Sequence, residues 1–124
     1  MAEFLSAEWL AAMDGTEGPA DPRLSFSLEQ IVTGAPGGDV RYWVTIEEGA
    51  IKVGTTPRPS DATIRLDFRT AVDLATGKST AGDAFQAGLV KFSGDLSRME
   101  AATAAFAGLG QILARRRDET TFPT

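Results

Sequence analysis

Hydrophobic and polar positions alternate along several short stretches of the chain, and this period of two residues is typical of strands with one buried face. Residues 40–47 alternate most regularly, with Tyr42 and Val44 predicted to face the core. The alternation that starts in residues 24–28 slips at Ile31, so a bulge or a twist is expected there. The predicted strands are residues 24–28, 40–47, 50–54, 62–66 and 89–93.

Hydrophobic residues at spacings of three and four predict helices before, between and after these strands. Ser6, Asp67 and Thr80 are side chains of the kind that accept a hydrogen bond from an unpaired N–H in a first helical turn. Gly77 is expected to end the second helix, because glycine readily adopts the left-handed conformation found there. The predicted helices are residues 6–13, 68–76, 81–87 and a long last helix that follows Asp95.

The last helix carries a wide apolar stripe, which has to be covered by another layer. Gly108 and Gly110 interrupt this helix, each at a cost of about 1 kcal/mol relative to alanine. They either permit a close approach to the sheet or let the last turns move as a lid. The predicted stripe consists of Leu96, Met99, Thr103, Phe106, Gly110 and Leu113, widened by Ala102, Leu109 and Ile112.

The order of the elements predicts an α+β fold. Four strands joined by short connections favour antiparallel pairing, and the helices are expected on one face of a five-stranded, mostly antiparallel sheet. A length of 124 residues favours one domain over residues 1–124. Within it, residues 1–22 are predicted to form an N-terminal helix and a linker loop, and residues 114–124 a frayed tail.

Composition removes several classes of function. Cysteine and histidine are absent from the sequence, which excludes disulfides and thiolate metal sites and removes the commonest general base. A net charge of −5 disfavours binding to nucleic acid or to anionic membranes. Without a long apolar run or a basic leader, a cytoplasmic protein is expected, with no stable membrane insertion. Frequent alanine and glycine, with arginine in excess over lysine, favour a bacterial source.

Several motifs in the second half of the chain are similar to those of the sterol carrier protein type 2 family, the sterol-binding or lipid-transfer domains. They are Asp61-Ala-Thr-Ile-Arg-Leu66, Leu74-Ala-Thr-Gly-Lys78, Asp83-Ala-Phe-Gln-Ala-Gly88 and Phe92-Ser-Gly-Asp95. The resemblance covers roughly residues 24–113. It implies helices on one side of the sheet and, between the two layers, an apolar cavity that holds a fatty acid, an acyl-CoA or a sterol-like molecule.

The same resemblance implies non-catalytic binding or transfer of a lipid, so neither enzyme activity nor a cofactor or metal is expected. The ending Thr121-Phe-Pro-Thr124 does not resemble the peroxisomal address of some relatives. The oligomeric state, and whether such a protein transfers, stores or presents its lipid, stay open. The candidate ligand-binding residues are Phe68, Leu74, Phe85, Phe92, Met99, Phe106 and Leu109.

The sequence also has features of other classes of function. A structural or regulatory interaction module would have a filled core and could use Trp43, which is predicted to point outward. An enzyme with a polar cavity, such as an isomerase, is disfavoured by the lack of histidine. The stretch Thr76-Gly-Lys-Ser79 resembles part of a phosphate-binding loop, but Val72 occupies the position of its first glycine, so a helix end is favoured.

Overall fold

The structure is a computed structural model that describes residues 2–122. The strands are β1 (Ala2–Glu3), β2 (Glu17–Pro19), β3 (Phe26–Thr33), β4 (Val40–Glu47), β5 (Ala50–Gly54), β6 (Ala62–Asp67), β7 (Val90–Gly94) and β8 (Thr120–Thr121). The α-helices are α1 (Ala7–Met13), α2 (Phe68–Thr76), α3 (Ala81–Gln86) and α4 (Met99–Arg115). Two 3₁₀ turns, Leu96–Arg98 and Arg117–Glu119, flank α4.

The main sheet has the strand order β2-β5-β4-β3-β6-β7 and confirms the predicted α+β class. Four of its neighbouring pairs are antiparallel, and only β3 and β6 run parallel. Glu48 and Gly49 both have positive φ in the tight turn between β4 and β5. Such a turn matches the twist of a hairpin, which explains the predicted antiparallel pairing of these two strands.

The sheet has six strands, one more than predicted. The extra strand, β2, lies in the stretch 15–22 that was predicted to be a linker loop. It pairs with β5 at the edge of the sheet, where Pro19 lies opposite Ala50. Proline is tolerated in an edge strand where its missing N–H would face away from the neighbouring strand. Here the backbone hydrogen bond to the β4–β5 turn is donated by the next residue, from Ala20 N to Gly49 O. The short, glycine- and proline-containing sequence of β2 gives no alternation from which a strand could be predicted.

Strand β3 continues to Thr33 in an unbroken register with both β4 and β6, so the bulge or twist expected at Ile31 is absent from this strand. Phe26, Leu28 and Val32 face the core, and Gln30 occupies the inward position between them. Ile31 faces outward. The apparent slip in the pattern therefore reflects one buried polar residue in a regular strand.

The helix ends follow the predicted capping residues. The Ser6 Oγ, Asp67 Oδ1 and Thr80 Oγ1 atoms each accept a backbone N–H three residues later. Gly77 ends α2 in the left-handed conformation. The last helix was predicted to follow Asp95, but α4 begins only at Met99, and the Asp95 carboxylate accepts the Ser97 N–H in the 3₁₀ turn between them.

The buried face of α4 is rotated relative to the predicted stripe. Thr103 and Gly110 are exposed, whereas Ala101 and Ala105 are buried. The small side chains of Ala101 and Ala105 let the helix lie close to the sheet. The predicted stripe was chosen by spacing and hydrophobicity, which do not take this close packing into account. The side chain of Leu96 lies outside the described part of the structure. The buried residues of α4 are Ala101, Ala102, Ala105, Phe106, Leu109, Ile112 and Leu113.

Residues 114–122, the part of the predicted frayed tail (residues 114–124) that the structure describes, are ordered by contacts with the N-terminal segment. Strand β8 pairs in parallel with β1, and the buried Trp9 Nε1 donates to Thr120 Oγ1 at 3.1 Å. The ring of Phe122 lies 5.2 Å from the ring of Phe4. These contacts fix the tail to the N-terminal segment as far as residue 122, the last that the structure describes.

Trp43 was predicted to point outward and does lie on the outer face of the sheet, but it is only 4% exposed. The Arg41 guanidinium lies 5.8 Å from the centre of its ring, and Thr56 and Arg58 border the same groove. The interaction-module alternative therefore loses the exposed aromatic side chain on which it depended. None of the helices between residues 2 and 122 combines the length and apolar character required to cross a bilayer.

Candidate functional site

A cavity of about 250 Å³ lies between the inner face of the sheet and the helices α2 and α4. Most of the side chains around it are apolar, and the described residues that line it include no charged side chain. Binding pockets for drug-sized ligands span roughly 300–1,000 Å³, so this cavity lies just below that range. The lining residues are Phe4, Gln30, Val32, Tyr42, Leu66, Ala71, Leu74, Ser79, Ala81, Phe106, Ala107, Leu109, Gly110 and Leu113.

The mouth of the cavity lies on its helical side. Ala107 and Gly110 line the cavity and are exposed on α4, and Ser79 lines it from the turn before α3. No atom lies within 4 Å of the position that a β-carbon on Gly110 would occupy. Small, exposed residues therefore border the cavity on this side.

The sheet side of the cavity carries two buried polar side chains. Gln30 and Tyr42 lie directly opposite each other in the β3–β4 register, and each is 2% exposed. Burial raises the pKa of the Tyr42 hydroxyl to about 12, and a hydrogen bond with the Gln30 side chain partly opposes this shift. The tyrosine is therefore neutral at physiological pH. Among the described residues, the buried Gln30 Oε1 accepts no hydrogen bond.

Three of the seven predicted ligand-binding residues, Leu74, Phe106 and Leu109, line the cavity. Phe85 lies behind them, with its ring edge-on to Phe106 at 5.9 Å. Phe68 packs 6.1 Å from the ring of Phe4, which itself lines the cavity.

Phe92 on β7 and Met99 at the start of α4 are half-buried and are not among the lining residues. Phe92 pairs with Ile64 at the β7 edge of the sheet, and neither of them lines the cavity, whose sheet side is formed by residues of β3 and β4 and by Leu66 of β6. Phe92 belongs to one of the resembling motifs, and Met99 belongs to the predicted apolar stripe of the last helix. Neither feature indicates how far a side chain lies from the cavity.

The sheet residues of the cavity were not among the ligand-binding candidates predicted from the sequence. The sequence does not distinguish Val32 and Leu66 from ordinary core positions. Gln30 was not assigned to the inner face because the alternation appeared to slip at Ile31. The available signal was the phase of the strand: Gln30 falls on the inward face if the alternation of β3 is continued. An inward polar residue in an otherwise apolar strand is the type of position that deserves a functional interpretation.

The other chemical motifs have structural roles. Gly77 is the C-cap of α2 and Lys78 is exposed in the following turn, so this stretch forms the predicted helix end. Among residues 2–122, no group of three or more acidic side chains is arranged to hold a metal ion. The cavity between the sheet and the helices α2 and α4 has the apolar lining that an apolar molecule requires.

Comparison with known proteins agrees with this architecture. The sequence profile of the SCP-2 sterol transfer family matches residues 20–107, which is more than half of the chain. The chain belongs to this family. The match includes the sheet from β3 to β7, the helices α2 and α3, and α4 as far as Ala107, so it confirms the resemblance carried by residues 61–96.

Solved structures of sterol carrier proteins share the fold. A crystal structure of sterol carrier protein 2 has 18% identity and a TM-score of 0.57, with 91% of this chain and 98% of that chain covered. The palmitated SCP2L2 of Aedes aegypti has 16% identity and a TM-score of 0.54, with coverage of 86% and 85%. A conserved hypothetical protein from Thermus thermophilus has 22% identity and a TM-score of 0.54, with coverage of 83% and 76%. No curated protein sequence matches the chain.

Proposed function

We propose that this protein binds a single-chain lipid, non-covalently, in the cavity between α4 and the sheet. The observation that carries the proposal is the 250 Å³ apolar space with its mouth at Ala107 and Gly110. Membership of the SCP-2 sterol transfer family supports a lipid as the ligand. Of the expected classes of ligand, the volume favours one aliphatic chain over a rigid polycyclic sterol, because a flexible chain can fill a small space.

The driving force for binding would be the burial of the chain. Each methylene group removed from water contributes about 0.8 kcal/mol. A preformed apolar cavity also lowers the cost of binding, since the protein does not have to open a space in a packed core. The Leu109 and Leu113 side chains from α4 and Val32 and Leu66 from the sheet would contact the chain on two sides.

A carrier rather than an enzyme is proposed because the lining offers poor acid–base chemistry. Tyr42, with its pKa raised to about 12, is too weak an acid to transfer protons efficiently near neutral pH. Gln30 and Ser79 do not ionise in that range. The proposed role is therefore to shield the apolar part of a lipid from water and release it unchanged.

A filled-cavity variant tests the proposal. Ala71 lines the cavity from α2, so Ala71→Phe should occupy the space of the ligand. Ala104→Phe adds the same ring on the exposed face of α4, outside the lining, and is the matched control. Protein freed of lipid by unfolding and refolding is titrated with decanol while its thermal unfolding is followed.

The parent and Ala104→Phe should gain stability with decanol, by about 2.7 kcal/mol when the ligand reaches one hundred times its Kd. Ala71→Phe should fold and show no such gain. The proposal would be wrong if decanol left the parent unchanged, or if it stabilised Ala71→Phe as much as the control.

A further inference from the structure

The cavity combines an apolar lining with one buried hydrogen-bond acceptor that is left unpaired. Gln30 is 2% exposed, lines the cavity from β3 and directs its side chain to the inner face of the sheet. Its Oε1 accepts no hydrogen bond from the described residues. A buried acceptor in this state costs about 1–3 kcal/mol of desolvation, which is why such groups are rare in folded proteins.

A ligand that fills the cavity also affects the unpaired Gln30 Oε1. An aliphatic chain that occupies the space displaces water from it, so the ligand itself must then supply a donor to Gln30 Oε1. Tyr42 lies directly opposite Gln30 on the adjacent strand, and both side chains line the cavity. The unpaired oxygen therefore lies on the sheet side.

The electrostatics of the lining restrict the donor further. No arginine or lysine is among the described residues that line the cavity, so a carboxylate brought to Gln30 would be buried without a counter-charge. Burying an unpaired ion is far more costly than burying a neutral hydroxyl. A charged head group is accordingly excluded from the sheet side and can only remain at the mouth, next to solvent.

We propose that Gln30 is a specificity-determining residue that accepts a hydrogen bond from a neutral donor on the ligand, such as the hydroxyl of an aliphatic alcohol. The ligand then enters with its polar end first and its chain toward the mouth. This inference rests on the proposed lipid-binding function and adds the class of head group and the orientation of the ligand.

The test compares three ligands with the same chain: decanol, which has a donor, decyl methyl ether, which has only an acceptor, and decanoate, which is charged. Their Kd values are measured for the parent and for Gln30→Met, which keeps the length of the side chain and removes the amide. Gln30→Leu is a second apolar variant should the first fail to fold. Comparing each ligand with itself across the variants cancels its own cost of leaving water.

We expect Gln30→Met to weaken decanol about tenfold, the equivalent of one neutral hydrogen bond, and to change the ether and decanoate by less than about twofold. The role of Gln30 would be overturned if Gln30→Met changed the Kd of all three ligands equally, or if it weakened only the ether or only decanoate. It would also be overturned if decanol bound the variant as tightly as the parent. These outcomes leave lipid binding itself intact. Failure of the parent to bind any of the three ligands would overturn the proposed function, and this inference with it.

Discussion

Gly108 in α4 approaches Ile51 in β5 so closely that a β-carbon on Gly108 would lie 2.6 Å from the Ile51 Cδ1 atom. Gly110, two residues further along the same helix, has no atom within 4 Å of the corresponding position. The two glycines therefore differ: one allows the helix to contact the sheet, and the other borders the mouth of the cavity.

This difference predicts opposite effects of the same substitution. Gly110→Ala should raise the free energy of unfolding by about 1 kcal/mol, because alanine favours the helix more than glycine does. Gly108→Ala gains the same propensity but has to displace the buried Ile51, and overpacking costs roughly 1–3 kcal/mol. It should therefore leave the protein equally stable or less stable by up to about 2 kcal/mol. Chemical denaturation measures both variants, and an equal stabilisation by the two would contradict the close contact.

The attachment of the C-terminal segment predicts a second pair of effects. Thr120→Val keeps the shape of a buried side chain but removes the acceptor of the Trp9 Nε1 hydrogen bond. Leaving that buried donor unpaired should lower the free energy of unfolding by about 1–3 kcal/mol. Thr121→Val, at the exposed neighbouring position, is the control and should change it by less than about 0.5 kcal/mol. Equal effects in denaturant titrations would mean that the tail contributes no specific contact.

The cavity predicts unequal costs for overpacking. Ala71 lines the empty space, whereas Ala105 is 0% exposed and lies outside the lining. Ala71→Phe should cost less than about 1 kcal/mol, since its ring has room, and Ala105→Phe should cost roughly 1–3 kcal/mol or more. The comparison is made on lipid-free protein by chemical denaturation. If Ala71→Phe is the more damaging change, the space beside α2 is not available to a ligand.

The chain contains a single tyrosine, so the phenolate absorbance reports on Tyr42 alone. Its pKa is raised from 10.0 to about 12 by burial. Because the folded state holds this proton above the pH at which the unfolded state releases it, stability is lost as pH rises from about 10 to 12. The loss attributable to this group should be roughly 2–3 kcal/mol.

A rapid jump in pH measures the ionisation before the protein unfolds. The native phenolate should appear with a midpoint near 12, and Tyr42→Phe should lose stability less steeply than the parent over this range. A native midpoint near 10 would show that the hydroxyl is in contact with solvent and that the sheet side of the cavity is open.

Much of the fold could be predicted from the sequence because local physics determines it. The alternation of β4, the cap at Asp67 and the left-handed Gly77 all depend on residues within a few positions of one another. The elements that were missed depend on distant contacts. Strand β2 is defined by its pairing with β5, and the C-terminal segment by Thr120 and Phe122 packing on the N-terminal residues.

The site was predictable only in part for the same reason. Leu74, Phe106 and Leu109 belong to apolar helix faces that can be identified from their spacing. Gln30 lies on the inner wall because a strand keeps its phase through a polar residue. Trp43 is buried although it lies on the outer face, where the Arg41 guanidinium lies over its ring and the loop after β5 borders the same groove. Burial of this kind depends on the three-dimensional neighbourhood of a side chain and is not encoded in its own polarity.

The central claim, that a lipid chain lies between α4 and the sheet, is tested most directly by locating a bound ligand. Intermolecular nuclear Overhauser effects are recorded between decanol and methyl-labelled protein in solution. We predict contacts from the chain to the methyl groups of Val32, Leu66, Leu109 and Leu113, and none to those of Ile31, which faces outward on β3. Contacts confined to surface methyl groups, or the absence of any contact at saturating decanol, would contradict the claim.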